Sequence, residues 1–377
     1  MADKFMRSNP NVLVIYETLA LEAWWNELPS FWKDLLITQA MTSKRPTKEE
    51  LHSIINIKNL KVGHFIQDAD PVSRLTNIEF LDLSDSKIDD LSPLYGLHNL
   101  KSLNVRNTEV SDLAPLSNLK NLKELNIENT NVKSLQALHE LSNISKIYAD
   151  GSKLTQDEVV ALKRKQRQLT VIYQTDDLRL WWGNLDMAWR EIFNSHLTCN
   201  SNPTAEQLQS IVDLEEIVVD PNNVVYSLES LQQMSFLRKL IINNNQIHDL
   251  TPLSDKDLLE VLSVSGNPVD DITPLSNLLL LKNLNVENTQ VSDLTPITNL
   301  KNIKVLNIGG TSVRNLKPLA GFEHLEDLSI VNTYVKSVVP LENLPSLKHL
   351  KAYKTKIKNK NIELLKFKKP DLNVIYY

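Results

Sequence analysis

Leucine, isoleucine and valine recur along most of this chain at a fixed spacing, separated by polar residues. From position 75 the segment LTNIEFLDLSDSKIDDLSPLYG is followed by LHNLKSLNVRNTEVSDLAPLSN and LKNLKELNIENTNVKSLQALHE, which gives a period of 22 residues. A fourth, degenerate unit follows, and the same register returns in six units that begin at positions 234, 256, 278, 300, 322 and 344. Ten units in one frame predict a repeat architecture.

Each unit carries its apolar residues in an order that predicts a short strand and a return path. In the unit that starts at position 97 the repeating positions are Leu97, Leu100, Leu103, Val105, Val110, Leu113 and Leu116. Leu103 and Val105 are two residues apart and therefore point to the same side of a strand. Val110 and the later positions come back toward the same interior. Each unit is then one coil of a solenoid, and so small a coil is stable only when it stacks on its neighbours.

Two further columns run through the repeats, and both have structural explanations. The hydroxyl column consists of Ser86, Thr108, Thr130, Ser152, Thr289, Thr311, Thr333 and Thr355. Each follows a strand, where the side chain is expected to turn inward and satisfy backbone groups at the bend. The proline column consists of Pro93, Pro115, Pro252, Pro274, Pro296, Pro318 and Pro340. Proline fixes φ on the return path, where no strand-pairing donor is needed.

An internal duplication lies outside the repeats. WWNELPSFWKDLL at 24–36 matches WWGNLDMAWREIF at 181–193, and RPTKEELHSIINIKNLKV at 45–62 matches NPTAEQLQSIVDLEEIVV at 202–219, always at an offset of 157. The raw apolar end of a solenoid has to be closed. We therefore expect both segments to be helical caps in front of their repeat blocks.

Helix signals support this expectation. The apolar stripe consists of Trp25, Leu28, Trp32 and Leu35/Leu36, which fall at helical spacing. Capping boxes that open a helix are predicted for Thr47 with Glu50, Thr204 with Gln207 and Thr155 with Glu158. An aromatic stripe of this kind can also line a ligand pocket, which is the alternative to a cap.

The ends of the two repeat blocks match as well. KRKQRQLTVIYQ at 163–174 corresponds to KFKKPDLNVIYY at 366–377, each after a helical pattern, so each block is predicted to end with a helix and a last strand. The basic runs in these segments suggest phosphate binding, but they lie near a predicted helix end, where the dipole favours cations. A third copy, NVLVIY at 11–16, is either the remnant of a lost module or a strand of the cap that follows it.

These matches predict two modules, of which the second is the first with two more coils. Residues 1–18 are an N-terminal strand or lead-in. The first module spans 19–174, with a helical cap at 19–56, about four full repeats at 75–162 and a terminal strand at 168–173. The second spans 175–377, with a helical cap at 176–213, about six full repeats at 234–365 and a terminal strand at 371–376.

The string L-x-x-L-x-L-x-N-T-x-V-x-x-L-x-P-L, found at 100–116 and 281–297, resembles the leucine-rich repeat, specifically the 22-residue bacterial type seen in internalins. The resemblance implies an α/β solenoid with a curved parallel sheet on the concave face and short, mostly non-helical segments on the convex face. Here it would form two tandem arcs with helical caps. The Trp-rich cap and the lack of a signal peptide depart from the internalin pattern.

The composition of the chain and the motifs it lacks argue against several classes of function. A formal charge of -5 over 377 residues argues against general nucleic-acid binding, and Cys199, the only cysteine, rules out an intramolecular disulfide. No apolar run reaches the roughly 18 residues of a membrane span. No nucleotide-binding, zinc-protease or serine-hydrolase motif occurs, and the paired acids Asp89-Asp90 and Asp270-Asp271 occupy a repeated convex position. We expect no catalysis, no cofactor and no metal.

What remains is the concave surface. Its exposed apolar or aromatic positions, with one lysine, are the candidate partner-binding residues: Phe80, Tyr148, Val218, Lys239, Ile241, Val261, Val331 and Tyr353. Ile241 and Val261, with Lys239 beside them, are predicted to form one patch. Packing against the neighbouring cap is the alternative explanation for these residues.

The sequence therefore predicts a non-catalytic, monomeric scaffold that binds an unidentified protein partner, without nucleic acid or membrane. As printed the chain is expected to be cytoplasmic. A secreted or surface adhesin of the internalin kind is the second hypothesis, and a signal sequence upstream would favour it. An enzyme would need a metal or substrate on the concave face, and a carbohydrate-binding protein would need more aromatic platforms there.

Overall fold

The computed structural model describes residues 15, 17–63, 66–197, 202–220 and 223–376. The chain divides into two compact units, Met1–Thr175 and Asp176–Tyr377. The first unit contains a six-stranded sheet and the second an eight-stranded sheet, and in both the strands lie side by side in chain order. The predicted lead-in at 1–18 falls mostly outside the described residues, as does Cys199.

The first unit opens with helices α1 (Thr18–Glu27), α2 (Ser30–Ala40) and α3 (Lys48–Ile55). Its strands are β1 (Asn59–Lys61), β2 (Phe80–Asp82), β3 (Ser102–Asn104), β4 (Glu124–Asn126), β5 (Lys146–Tyr148) and β6 (Thr170–Ile172). Helix α4 (Gln156–Lys165) joins the last two strands. Short 3₁₀ helices form the return paths at Asp70–Arg74, Ser92–Leu94, Ala114–Leu116 and Gln136–Leu138.

The second unit repeats this plan with more coils. Its opening helices are α5 (Thr175–Asn184), α6 (Met187–His196) and α7 (Ala205–Val212). Its strands are β7 (Glu216–Val218), β8 (Lys239–Ile241), β9 (Val261–Ser263), β10 (Asn283–Asn285), β11 (Val305–Asn307), β12 (Asp327–Ser329), β13 (His349–Lys351) and β14 (Asn373–Ile375), with α8 (Asn359–Lys368) before the last strand. Its 3₁₀ helices are Glu229–Leu231, Thr251–Leu253, Thr273–Leu275, Thr295–Ile297, Lys317–Leu319 and Val339–Leu341.

The strands stack in parallel with equivalent leucines opposite one another. Leu103 pairs with Leu81 on one side and Leu125 on the other, and Leu284 lies between its counterparts in the same way. Leu103 is 0% and Leu284 is 1% exposed, so the inward positions form a continuous core within each unit. The predicted leucine-rich-repeat solenoid is confirmed.

The hydroxyl column closes the bend after each strand, as expected. Thr108 Oγ1 donates to the carbonyl of Val105 at 2.6 Å, and Thr130 Oγ1 donates to the carbonyl of Ile127 at 2.7 Å. The buried hydroxyl thus provides a hydrogen-bond donor for a carbonyl that would otherwise be unpaired beside the core. Ser152 differs, because its Oγ accepts the Leu154 N–H at 3.5 Å.

The second unit uses asparagine in this column at positions 245 and 267, a substitution that the repeat pattern did not anticipate. Asn267 is 2% exposed, and its Nδ2 donates to the carbonyl of Ile242 at 2.7 Å while its Oδ1 accepts the N–H of Ile247 at 3.0 Å. An amide has both donors and acceptors. It therefore links two coils where a hydroxyl serves one.

The single helical stripe expected from Trp25 to Leu36 is wrong in one respect, because it is split over two helices. Helix α1 ends at Glu27, and Leu28 is extended with ψ 136° before Pro29. A residue before proline is pushed out of the helical region. In the second copy Asp186 takes the place of Pro29, and its Oδ1 accepts the Trp189 N–H at 2.8 Å to start α6.

Two of the three predicted capping boxes are complete, those of Thr47 with Glu50 and of Thr204 with Gln207. The third is half formed. Thr155 accepts the Glu158 N–H at 3.4 Å, but the Glu158 carboxylate turns to the N–H of Leu135 at 3.0 Å. Contact with the neighbouring coil has thus replaced the local bond.

Candidate partner-binding surface

Most strands offer the concave face their first and third residues, because the middle residue is buried; in β6 and β9 the third residue is buried as well. In β2, for example, Phe80 is 48% exposed, Leu81 is 2% exposed and Asp82 is half-buried. Parallel pairing in register carries this alternation across each sheet, so the outward residues form two columns. The columns put side chains 22 residues apart in sequence next to each other.

In the first unit the columns enclose a shallow groove of about 470 Å³. It is lined by Phe80, Leu81, Glu124 and Asn126, together with Gln39 near the end of α2. An ion pair between Lys61 Nζ and Asp82 Oδ2, at 3.4 Å, crosses the entrance. The groove therefore has one exposed aromatic ring among mixed charges.

Tyr148, the other candidate of this unit, does not line that groove. Its ring lies 5.4 Å from Lys146 Nζ in a cation–π arrangement, and its strand neighbour Ile172 is buried. The structure therefore separates Tyr148 from Phe80.

At the start of the second sheet the structure brings four predicted residues together. Val218 lies opposite Ile241 in one column, and Lys239 lies opposite Val261 in the other. Val218 is 46% exposed, while Ile241 and Val261 are half-buried and stand apart from the fully buried core. Lys239 Nζ is held by Glu216 Oε2 at 3.0 Å. These residues define the β7–β9 patch.

Helix α6 touches the edge of this patch. The N–H of Val218 donates to His196 Nε2, on the last residue of α6, at 3.3 Å. Helix α6 therefore satisfies one backbone N–H of the edge strand, and the prediction that Ile241 and Val261 receive a partner stays a prediction.

A second groove, of about 400 Å³, lies over β11–β13. The predicted residues Val331 and Tyr353 line it, together with Val305, His349 and Lys351. His349 Nδ1 lies 2.6 Å from Asp327 Oδ1 on the neighbouring strand. This β11–β13 groove therefore combines apolar, aromatic and charged groups within a few residues.

Sequence reasoning missed several of the groove residues. Val305, 38% exposed, stands in the same column as Val261, at the repeat position that Phe80 has in the first unit, so extending that column by two strands would have identified it. His349 and Asp327 are ordinary polar side chains at outward positions. Only their pairing across two strands makes them part of a groove.

Charged residues just before the strands form ladders along both sheets. Glu79 lies between Lys58, at 3.1 Å, and Lys101. Glu260 lies between Arg238 and Lys282. Hydrogen bonds from Lys101 and from Lys282 hold the pKa of Glu79 and the pKa of Glu260 below the ordinary value of 4.5. These carboxylates stay charged and order one rim of the concave face.

A metal centre and a membrane-spanning helix are two other kinds of functional site. Among the residues that the structure describes, no group of three or more His, Cys, Asp or Glu side chains is placed to hold a metal ion. In the same part of the chain no helix has the length and apolar character needed to cross a membrane.

Comparisons with known proteins agree with the repeat architecture. The family model described as Leucine Rich repeats (2 copies) matches residues 98–151 and 235–277, so the chain contains leucine-rich repeats. An internalin of Listeria monocytogenes is 21% identical over 92% of this chain and 88% of that chain, with a TM-score of 0.40. A leucine-rich-repeat protein of Leptospira interrogans is 16% identical over 96% and 98%, with a TM-score of 0.35. A sequence search of curated proteins found no match.

Proposed function

We propose that this chain is a non-catalytic binding protein that holds a protein partner on its concave sheets and acts as a single chain. Leucine-rich repeats typically serve as interaction scaffolds, and the β11–β13 groove carries the proposal. Tyr353, Val305 and Val331 offer apolar contact there, beside the polar groups of His349 and Lys351. Interfaces are enriched in such aromatic anchors with a polar surround.

The rigidity of the sheet supports the same proposal. Every strand of the second unit is paired in parallel, and the residues beneath the groove, Leu306 and Leu328, are 1% and 2% exposed. A partner would therefore meet side chains that are already ordered, which lowers the entropic cost of binding. The β7–β9 patch would be a second contact for the same partner.

A photo-crosslinking experiment tests this proposal. A photoreactive amino acid is placed in the intact chain at Val305 or Ile241 on the concave face, or at Thr298 on the return path, which is half-buried like Ile241 and serves as the matched control. After irradiation in native lysate, we expect a specific adduct from the two concave positions and none from Thr298. An adduct from Thr298 alone would place the partner on the convex face and contradict the proposal.

Substitutions then separate the two surfaces. Against a partner captured in this way, Val331→Asp with Tyr353→Asp should weaken binding at least about tenfold, because an unpaired charge replaces an apolar contact. The same measurement on Ile241→Asp with Val261→Asp tests the β7–β9 patch. Unchanged affinity in both variants would exclude the concave surface.

We also infer that α1–α3 and α5–α7 are caps, each opening one of two modules that arose by tandem duplication of a bacterial-type repeat. Trp32 and Trp189 are 3% and 0% exposed, and each belongs to the same buried cluster as the repeats of its unit. Trp189 Nε1 donates to the carbonyl of Ser227 at 2.9 Å, and Trp181 Nε1 to that of Ser230 at 3.1 Å. The division after Thr175 supports the module boundary expected near residue 174.

A further inference from the structure

The last coil of the second unit and helix α8 concentrate positive charge. Residues 348–375 contain nine lysines, two acidic residues and no arginine, in a chain whose formal charge is -5. This segment runs from the concave face at β13, around the bend, through α8 and back to β14. Its lysines therefore surround the end of the stack and do not form a stripe on one face.

Most of these lysines lack a counter-charge. Lys348 pairs with Glu326 at 2.6 Å and Lys368 with Glu342 at 2.5 Å, while Lys369 Nζ donates to the carbonyl of Leu344 at 2.6 Å. Five others are exposed and form no ion pair within the described part of the chain: Lys351, Lys354, Lys356, Lys358 and Lys360. We call these five the lysine belt.

An apolar tip lies beside the lysine belt. On the inner side of α8, Ile362 and Leu365 are buried against the repeats, whereas Leu364 is 49% and Phe367 is 84% exposed. Lys360, Leu364 and Phe367 follow one another at i, i+4 and i+7, so they share the outer face of the helix. A side chain as large as Phe367 gains nothing from this exposure in water.

The equivalent helix α4 of the first unit shows that the fold does not require this surface. At the offset of 203 residues, Ala161 and Arg164 stand where α8 has Leu364 and Phe367. In place of lysines 354, 358 and 360 the first unit has Gly151, Thr155 and Asp157. Lys356 corresponds to Lys153, so the tip and four of the five belt lysines are specific to the second unit.

The belt also costs helix stability. Thr155 caps α4 by accepting the Glu158 N–H, whereas Lys358 at the start of α8 makes no side-chain cap. Lys360 places a cation in the first turn, where the helix dipole favours an acidic residue such as Asp157. Lysines at these positions oppose helix formation, and an external anion would offset that.

We propose that the lysine belt and the apolar tip dock the protein on the surface of an anionic lipid bilayer. Each lysine near such a surface contributes about 1 kcal/mol of attraction. Exposed leucine and phenylalanine beside lysines are the composition with which helices enter the headgroup region. The absence of arginine disfavours nucleic acid, since arginine is the usual residue for phosphate and base recognition. Docking of this kind needs no membrane-spanning segment.

Vesicle flotation with the intact chain tests the proposal. We expect binding to vesicles that contain phosphatidylcholine and phosphatidylglycerol in a ratio of about two to one, and no binding to vesicles of phosphatidylcholine alone. Binding should be lost as the salt concentration rises, because salt shortens the Debye length. The variant Lys354→Gly, Lys358→Thr, Lys360→Asp adopts the residues of the first unit, so α8 keeps or gains stability. It should bind anionic vesicles about a hundredfold more weakly, at roughly fivefold for each of the three lysines.

Two further variants complete the test. Leu364→Ala with Phe367→Ala should weaken vesicle binding several-fold while leaving every lysine in place. Lys44→Thr, Lys87→Thr, Lys133→Asp removes the same charge from exposed sites in the first unit and should leave binding unchanged. The proposal is overturned if the belt variant binds as the unchanged chain does, if the tip variant does, or if a DNA or RNA duplex is bound tightly while vesicles are not.

Discussion

At the scale of single residues, Lys256 departs most clearly from the repeat pattern. It is 1% exposed and occupies a core position at which later coils have Leu278, Leu300 or Phe322. Its Nζ lies 2.9 Å from Asp255 Oδ1 and donates to the carbonyl of Gln232 at 3.2 Å. A buried ammonium needs these contacts, because desolvation of an unpaired charge costs several kcal/mol.

Replacing Lys256 by leucine should stabilise the second unit. Only the lysine of this ion pair is buried, and burying its ammonium carries a desolvation cost that an apolar side chain of similar volume avoids. We therefore expect Lys256→Leu to raise the free energy of unfolding by about 1–3 kcal/mol. The urea midpoint of the intact chain is the measurement. The reverse change at the equivalent position, Leu278→Lys, is the control and should lower the midpoint strongly. A lower midpoint for Lys256→Leu would contradict this, because it would show that the polar contacts of Lys256 stabilise the fold more than a buried leucine does.

At the scale of the element, acidic residues on the convex side start the 3₁₀ helices. Asp90, Asp249, Asp271 and Asp293 each accept the N–H of the residue two positions later, at 2.8 to 2.9 Å. The side-chain hydroxyls at 92, 251, 273 and 295, and then these backbone N–H groups, hold the pKa of each carboxyl below its ordinary value of 3.8. The paired acids of the sequence therefore have a structural role at turns.

These carboxylates predict acid sensitivity. The pKa of each carboxyl is lower in the folded state than in the unfolded state. The ionised carboxylates therefore stabilise the folded state at pH values above the unfolded pKa. This stabilisation is lost as the pH falls from the unfolded pKa to the folded pKa. The chain offers a neutral counterpart, because Asn315 accepts the Lys317 N–H at 2.9 Å. Asp249→Asn, Asp271→Asn, Asp293→Asn should therefore keep the turns and flatten the loss of thermal stability below about pH 5. Parallel pH curves for variant and unchanged chain would contradict this.

At the scale of the whole molecule, a stack of repeats exposes an apolar end unless another element closes it. If α5–α7 form a cap, Trp189→Ala should destabilise the second unit by about 3–5 kcal/mol, since the ring is fully buried and its N–H is paired. Leu180→Ala, at a site 67% exposed on α5, is the matched control and should change little. Hydrogen exchange would show the cap directly, with faster exchange in β7 and β8 than in β12. Uniformly faster exchange would argue against a capping role.

Much of the architecture could be predicted because the same spacing of apolar and polar residues recurs from one 22-residue unit to the next. The inward leucines, the hydroxyl bends and two of the capping boxes depend on residues a few positions apart. The predictions failed where a single position departs from the rule, as at Pro29, or where a neighbouring coil competes for a side chain, as at Glu158. The candidate site was harder, because exposure of Ile241 or Phe80 follows from the column, but the groove at His349 follows only from pairing between strands.

The sequence by itself determined the coil, its period and which face of each strand is buried, because local spacing decides which side chains can share one interior. Only the tertiary structure decided which outward side chains become neighbours. It placed Lys256 inside the core, and it placed Val305 and Tyr353 in one groove. It also placed Phe367 on the exposed face of α8, the helix that carries Lys360 of the lysine belt. These outcomes depend on distances between coils, and a pattern of residue types along the chain contains no such distances.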